Sequence, residues 1–297
     1  MRRNWRVLGV AAVAWLVGSS LSFAGNFVRV SPDLDIYYEE AGAGRPIVFI
    51  PGWTGTTFYL RQQVAHFSKR YRAIVYDPRS QGRSSKTLEN NTYTQHGADL
   101  KAFMDALKLK DVILVGHSWG CHDVYAYFRA NGTDNVKAFV CLDQSPKDII
   151  DKEGDWGSLK TMGDFKDSYD GMAYDRVKST REFIQAAVTR PVPDEEINAL
   201  LDELLKTPTY VVVSLMCDAN VADYTPEAKA LDGKIPVLNV VTDPGWYPGW
   251  AAAAQNWGKT VARHTDVIVL PGKHLLHWES RNPRIRSMPC SINSWKR

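Results

Sequence analysis

The stretch Asp111-Val-Ile-Leu-Val-Gly-His-Ser-Trp-Gly120 restricts the fold of this chain more than any other. An apolar run with the composition of a buried strand leads directly into Gly116-His117-Ser118-Trp119-Gly120, and a helical pattern follows from Trp119 to Arg129. A serine at so sharp a strand-to-helix turn projects its hydroxyl clear of the sheet. Only small flanking residues let strand and helix approach that closely, which accounts for Gly116 and Gly120. The helix also turns its N-terminal amides toward the hydroxyl, where negative charge would develop in a reaction. Ser118 is therefore a candidate nucleophile. G-x-S-x-G alone is a weak signal, and an ordinary turn serine is the alternative; the strand before it and the helix after it favour the nucleophile.

The rest of the chain repeats that unit. Short runs rich in Val and Ile predict strands at Asn26–Val30, Leu34–Glu40, Pro46–Ile50, Arg72–Tyr76, Val112–Gly116, Ala138–Leu142, Val237–Val241 and Val267–Leu270. The later runs lack strict alternation, as expected of strands covered on both faces. Helices are predicted at Phe58–Lys69 and Thr94–Leu107 as well as after Ser118. The β-α-β succession argues for an α/β fold with a mostly parallel sheet and helices on both faces. After Leu142 the rhythm breaks, and residues 145–231 read as a helical cap, with helices over Arg181–Thr189 and Asp194–Leu205. Residues 25–144 and 232–297 then form the core. The cap carries Trp156, Met162, Phe165, Tyr169, Met172, Tyr174 and Met216, which either line an apolar pocket or form the cap's own core.

Residues 1–24 are a different material. Arg2, Arg3 and Arg6 precede an apolar stretch from Val7 to Leu21, and Ser22-Phe23-Ala24 offers small residues where a signal peptidase cleaves. The expectation is a cleaved signal peptide and an exported protein, periplasmic or secreted, with no stable membrane insertion after cleavage; an uncleaved N-terminal membrane anchor is the alternative, the stretch being about the shortest that could span a bilayer. The 36 basic and 33 acidic residues are interspersed, for a net charge of +3, which gives nucleic-acid binding no electrostatic support. The expected partner is a small-molecule substrate. Four cysteines (Cys121, Cys141, Cys217, Cys290) form no C-x-x-C pair and no disulfide framework. Cys121 and Cys141 fall in apolar segments, where cysteine acts as a small buried hydrophobe. No metal ion or cofactor is called for.

Two further motifs flank the elbow. Phe49-Ile50-Pro51-Gly52-Trp53 ends an early strand in a Pro-Gly turn, which by itself is as well read as a plain strand-to-helix turn; the family resemblance given below makes the amides of Trp53 and Trp119 the candidate oxyanion donors. Leu270-Pro271-Gly272-Lys273-His274 follows the last strand, from where His274 can reach over the sheet edge as general base. His277 reads as structural.

Together with the loop Asp77-Pro-Arg-Ser-Gln-Gly-Arg-Ser84 and Trp278-Glu279, these motifs in this order resemble the α/β-hydrolase superfamily from Val28 to about Asn282. The resemblance implies an eight-stranded sheet, a Ser, acid, His order and hydrolysis through an acyl-enzyme. The chain departs from the usual pattern in two places. Ser80 stands where a glycine is common, and Asp243, after the seventh strand, lies two residues too early for the usual acid. Asp143, in the minority location after the sixth strand, is preferred, with Asp243 as the alternative. A carboxylic ester with an apolar or aromatic group is the expected substrate. The rival readings are a cofactor-free dioxygenase of the same fold and a non-catalytic binding protein. The dioxygenases carry a histidine shortly after the Pro-Gly-Trp turn that Thr54-Gly55-Thr56 does not supply.

Overall fold

The computed structural model describes residues 25–158 and 162–279. The signal-peptide expectation for 1–24, Cys290 and the tail from Arg284 lie outside the described residues. In chain order the elements are β1 (Gly25–Ser31), β2 (Leu34–Ala41), β3 (Pro46–Ile50), α1 (Thr57–Phe67), β4 (Arg72–Tyr76), α2 (Tyr93–Ala106), β5 (Val112–His117), α3 (Gly120–Asn131) and β6 (Val136–Leu142). The helices α4 (Met162–Tyr174), α5 (Arg176–Ala187), α6 (Asp194–Leu204), α7 (Thr209–Val221) and α8 (Thr225–Leu231) follow. The chain then returns through β7 (Val237–Pro244), α9 (Trp250–Thr260), β8 (Thr265–Gly272) and α10 (Leu276–Glu279).

The strands form one eight-stranded sheet in the order β1-β2-β4-β3-β5-β6-β7-β8. β1 and β2 are joined antiparallel, β2 meets β4 antiparallel, and every pairing from β4 to β8 is parallel. The period of two along each strand divides the core. Val48, Ile50, Ile74, Leu114 and Phe139 face α2, α3 and α9, whereas Ile47, Phe49, Val75, Val115 and Val140 face α1, α6 and the end of α5. Both faces are dry, which explains strands that read as continuous apolar runs.

Between β6 and β7 the described residues hold helices α4 to α8 and no strand of the sheet. Helix α5 starts earlier than its periodicity predicts, at Arg176, and leaves helical geometry at Val188. Helix α6 opens after Pro193 with Asp194, Glu195 and Glu196 in its first turn, where negative side chains complement the helix dipole. Helix α9, preceded by Gly249 at φ 101°, was not anticipated; its Trp250, Ala254 and Trp257 bury against β7 and Trp156. Cys121 and Cys141 are buried with their sulfurs 2.7 Å apart.

Candidate active site

The carboxyl ends of β3, β5, β6 and β8 meet on one edge of the sheet, beneath α4 to α7. Gly116 and Gly120 make the elbow between β5 and α3 possible. A Cβ on Gly120 would stand 2.5 Å from the Ile50 carbonyl oxygen, and one on Gly116 2.7 Å from the Cys121 nitrogen. Ser118 sits between them at φ 54°, a left-handed conformation that costs a non-glycine residue roughly 1–3 kcal/mol. It is held there because its N–H donates to the Leu142 carbonyl at 2.9 Å and its own carbonyl accepts from Cys121 N at 2.8 Å. The Ser118 hydroxyl makes no hydrogen bond to a described residue, His274 included, and faces a cavity of about 490 Å³ that His274 also lines.

Strand β3 delivers the second piece. Gly52 lies against the elbow so closely that a Cβ there would stand 2.7 Å from Ser118 Cβ, and the turn closes through Gly55 N donating to Gly52 O at 2.9 Å. Neither the Trp53 nor the Trp119 backbone amide donates to another group among the described residues. Both indoles are anchored: Trp53 Nε1 donates to Val212 O at 3.0 Å and Trp119 Nε1 to Asp148 Oδ2 at 2.7 Å. The rings meet edge-on with centroids 5.3 Å apart.

The last strand brings His274, which is 3% exposed. Its Nδ1–H donates to Asp143 Oδ2 at 2.8 Å, leaving Nε2 as the acceptor nitrogen. Asp143 leaves β6 at φ 55°, and its backbone N–H donates to Val240 O at 2.7 Å. Its carboxylate also accepts from Thr242 N, Thr242 Oγ1 and Trp250 Nε1 at 2.8, 2.9 and 2.9 Å. Burial alone would raise the Asp143 pKa. The hydrogen bonds from His274, Thr242 and Trp250 and the charge of His274 outweigh it and hold the carboxyl below its ordinary value. Asp243 is solvent-exposed at the end of β7, where its backbone pairs with Pro271. The structure thus brings Asp143, and not Asp243, to His274.

Under this layer lies a chain of hydrogen bonds that joins all three motifs. Gly52 N donates to the Tyr59 hydroxyl at 2.5 Å, Tyr59 faces His117 Nδ1 at 3.4 Å, and His117 Nε2 donates to the His274 carbonyl at 3.2 Å. The His117 ring packs between His274 and His277, with centroids 4.6 and 4.0 Å away. Burial, with the neighbouring imidazoles, pushes His117 well below the usual histidine value and His277 to about 3, so both rings stay neutral. His277 has no hydrogen bond to Asp143, and its Nε2 has no partner among the described residues. The elbow histidine carries a signal in the sequence only through its place beside Ser118; Tyr59 carries none.

The cavity wall is largely apolar. Of the cap residues singled out above, Phe165, Met172 and Met216 line it. Trp156 is core, Tyr174 is 83% exposed, and the Met162 side chain lies outside the described residues. No sequence signal singled out Phe183 or Trp246, which also line the wall; Trp246 lies over His274 with centroids 4.2 Å apart. Among the described residues, no group of three His, Cys, Asp or Glu side chains is placed to hold a metal ion.

Comparison with known proteins follows the same geometry. A family model of the α/β hydrolase fold matches residues 45–280. The non-heme haloperoxidase of Rhodococcus erythropolis is 33% identical over 128 residues, 43% of this chain and 47% of that protein. The AB hydrolase superfamily protein YisY of Bacillus subtilis is 24% identical over 216 residues, 72% of this chain and 79% of that protein. The chain spans under half the length of the first curated relatives it matches. An esterase from Exiguobacterium antarcticum superimposes with a TM-score of 0.81 at 18% identity, over 91% of this chain and 100% of the other. A bromoperoxidase from Bacillus anthracis gives 0.78 at 23% identity, over 86% and 94%. At such identities the likeness is one of fold. With the family model covering most of its length and the strand order agreeing, the chain belongs to the α/β-hydrolase fold family.

Proposed function

We propose that this protein is a serine hydrolase that cleaves a carboxylic ester with an apolar or aromatic group through an acyl-enzyme. The observation that carries the reading is the buried His274–Asp143 hydrogen bond beside a cavity that also receives the Ser118 hydroxyl. His274 Nε2 takes the Ser118 proton as Oγ bonds to the ester carbonyl carbon. Asp143 keeps the proton on Nδ1 and stabilises the imidazolium. The carbonyl oxygen becomes an oxyanion held by the Trp53 and Trp119 amides, each contributing about 3 kcal/mol to the transition state. The protonated His274 gives its proton to the leaving alkoxide, and water, deprotonated by the same ring, then releases the acid. A serine at the elbow stands against the carboxylate-nucleophile chemistry of dehalogenases and epoxide hydrolases. Hydrogen peroxide in place of water would turn the same acyl-serine into a peracid, a variant suggested by the haloperoxidase names of several relatives.

A fluorophosphonate probe tests the nucleophile. Intact mass should show one adduct on the native protein, located on Ser118 by peptide mapping, and none on Ser118→Ala. Labelling that survives the substitution removes Ser118 from the mechanism. A panel of aryl and alkyl esters should lose on the order of 10⁴-fold or more in kcat with Ser118→Ala.

A further inference from the structure

Two amide side chains in the cavity wall are bonded on one side only. Gln144, the residue after Asp143, is 2% exposed and lines the cavity. Its Nε2 donates to Asp148 Oδ1 at 2.9 Å, and Asp148 is itself buried and fixed by Trp119 Nε1 and by Ser158 Oγ at 2.6 Å. A carboxylate accepts only from the nitrogen of an amide, so the orientation of Gln144 is set and its carbonyl oxygen is turned away from Asp148. That oxygen has no hydrogen-bond partner among the described residues and is not one of the fully enclosed polar atoms that lack one. Asn220 on α7, also in the lining, repeats the pattern: its Nδ2 donates to Met216 O at 2.7 Å, and its enclosed Oδ1 has no partner among the described residues. The cavity hydroxyls of Ser158 and Ser168 are committed to Asp148 and the Asp164 carbonyl. The charged residues of the wall are Asp167 and Glu182, with no Lys or Arg among the described lining.

The wall therefore offers a fixed acceptor and negative potential in an otherwise apolar surround. An acceptor in such a place lowers the free energy of a ligand that brings a donor, and an anionic ligand gains nothing there. We propose that the substrate carries a hydroxyl or N–H group remote from its reacting carbonyl, received by Gln144 Oε1, and is neutral or cationic. The proposal rests on the ester-hydrolase reading for the place of the reacting carbonyl, but recognition can be read without turnover.

The test is calorimetric titration of Ser118→Ala protein with 3-phenylpropanamide, its three ring-hydroxylated isomers and its 4-carboxy derivative. At least one hydroxylated isomer should bind about tenfold tighter than the parent, and the carboxylate more weakly than the parent. Gln144→Met, of similar length but without the acceptor, should bring that ratio to about twofold or less. The assignment is overturned if no hydroxylated isomer binds more tightly than the parent, binding too weak to measure included, or if Gln144→Met keeps the preference. Failure of fluorophosphonate labelling would instead remove the ester reading and leave this comparison of affinities standing.

Discussion

Asp143 adopts a positive φ at a strand end and still places its carboxylate among donors from three elements. That strain is held by register. β6 and β7 pair in parallel from Phe139↔Val237 to Leu142↔Val240, which sets Thr242 N and Oγ1 against the carboxylate. Asparagine at 143 would present an NH2 toward groups that are themselves donors and would disturb the tautomer of His274. Asp143→Asn should lower kcat on the order of 10³ to 10⁴-fold, whereas Asp243→Asn, at an exposed side chain, should change it less than about threefold; steady-state kinetics on one ester decides between them. Sequence alone left both aspartates open, because each follows a strand and spacing does not say which carboxylate turns inward. The serine and histidine were more legible, since each is tied to a glycine-bearing turn. Ser80, where a glycine was expected, does take a positive φ of 61°, and its hydroxyl accepts from Thr87 N at 3.0 Å, so a local hydrogen bond offsets the missing glycine.

At the level of elements, the alternation of buried strands and amphipathic helices was readable because its period is imposed by the sheet and the helix themselves. Helix α7 was harder. Val211-Val212-Val213 favours a strand by composition, yet the segment is helical and its Val211, Val212 and Leu215 are fully buried; packing outweighs so weak a propensity. The hydrogen bonds linking the turn after β3, the elbow and the loop after β8 were invisible, since Tyr59 contacts His117 only once α1 has packed on the sheet. Tyr59→Phe removes the acceptor of Gly52 N and the partner of His117 Nδ1. We expect a loss of about 1–2 kcal/mol in urea unfolding and a kcat reduced roughly tenfold with KM little changed, since the proposed oxyanion donors shift while the part of the wall supplied by α4 to α7 stays in place. An unchanged kcat would mean that the three turns hold their places without this link.

The whole molecule keeps two neutral imidazoles under its reacting groups, and this sets its response to acid. His117 and His277 are held below the free histidine value, His277 at about 3. From about pH 6.5 downward the unfolded chain takes up protons that the folded chain refuses, so stability falls with pH by up to about 1.4 kcal/mol per unit for each ring. Asp143, with its lowered pKa, adds stability that is lost only further down, as pH falls below about 4 through its folded value. Asp77, raised to about 6 by burial, works in the opposite sense over part of that range, so the expected outcome is a difference: His277→Phe should lose less of its urea midpoint than the native protein between pH 6.5 and 4.5, and an equal slope in the variant would mean that His277 is charged in the folded protein.

Helices α4 to α7 all contribute to the cavity, and the partner of His274 hangs from β6, immediately before the chain departs into them. The segment following β7 therefore supplies no carboxylate to the imidazole. It carries Trp246, whose indole covers one side of the ring, and leads into Trp250, which donates to Asp143. An exchange at Trp246 would therefore change the wall beside His274 while leaving the His274–Asp143 hydrogen bond and the donors around that carboxylate in place.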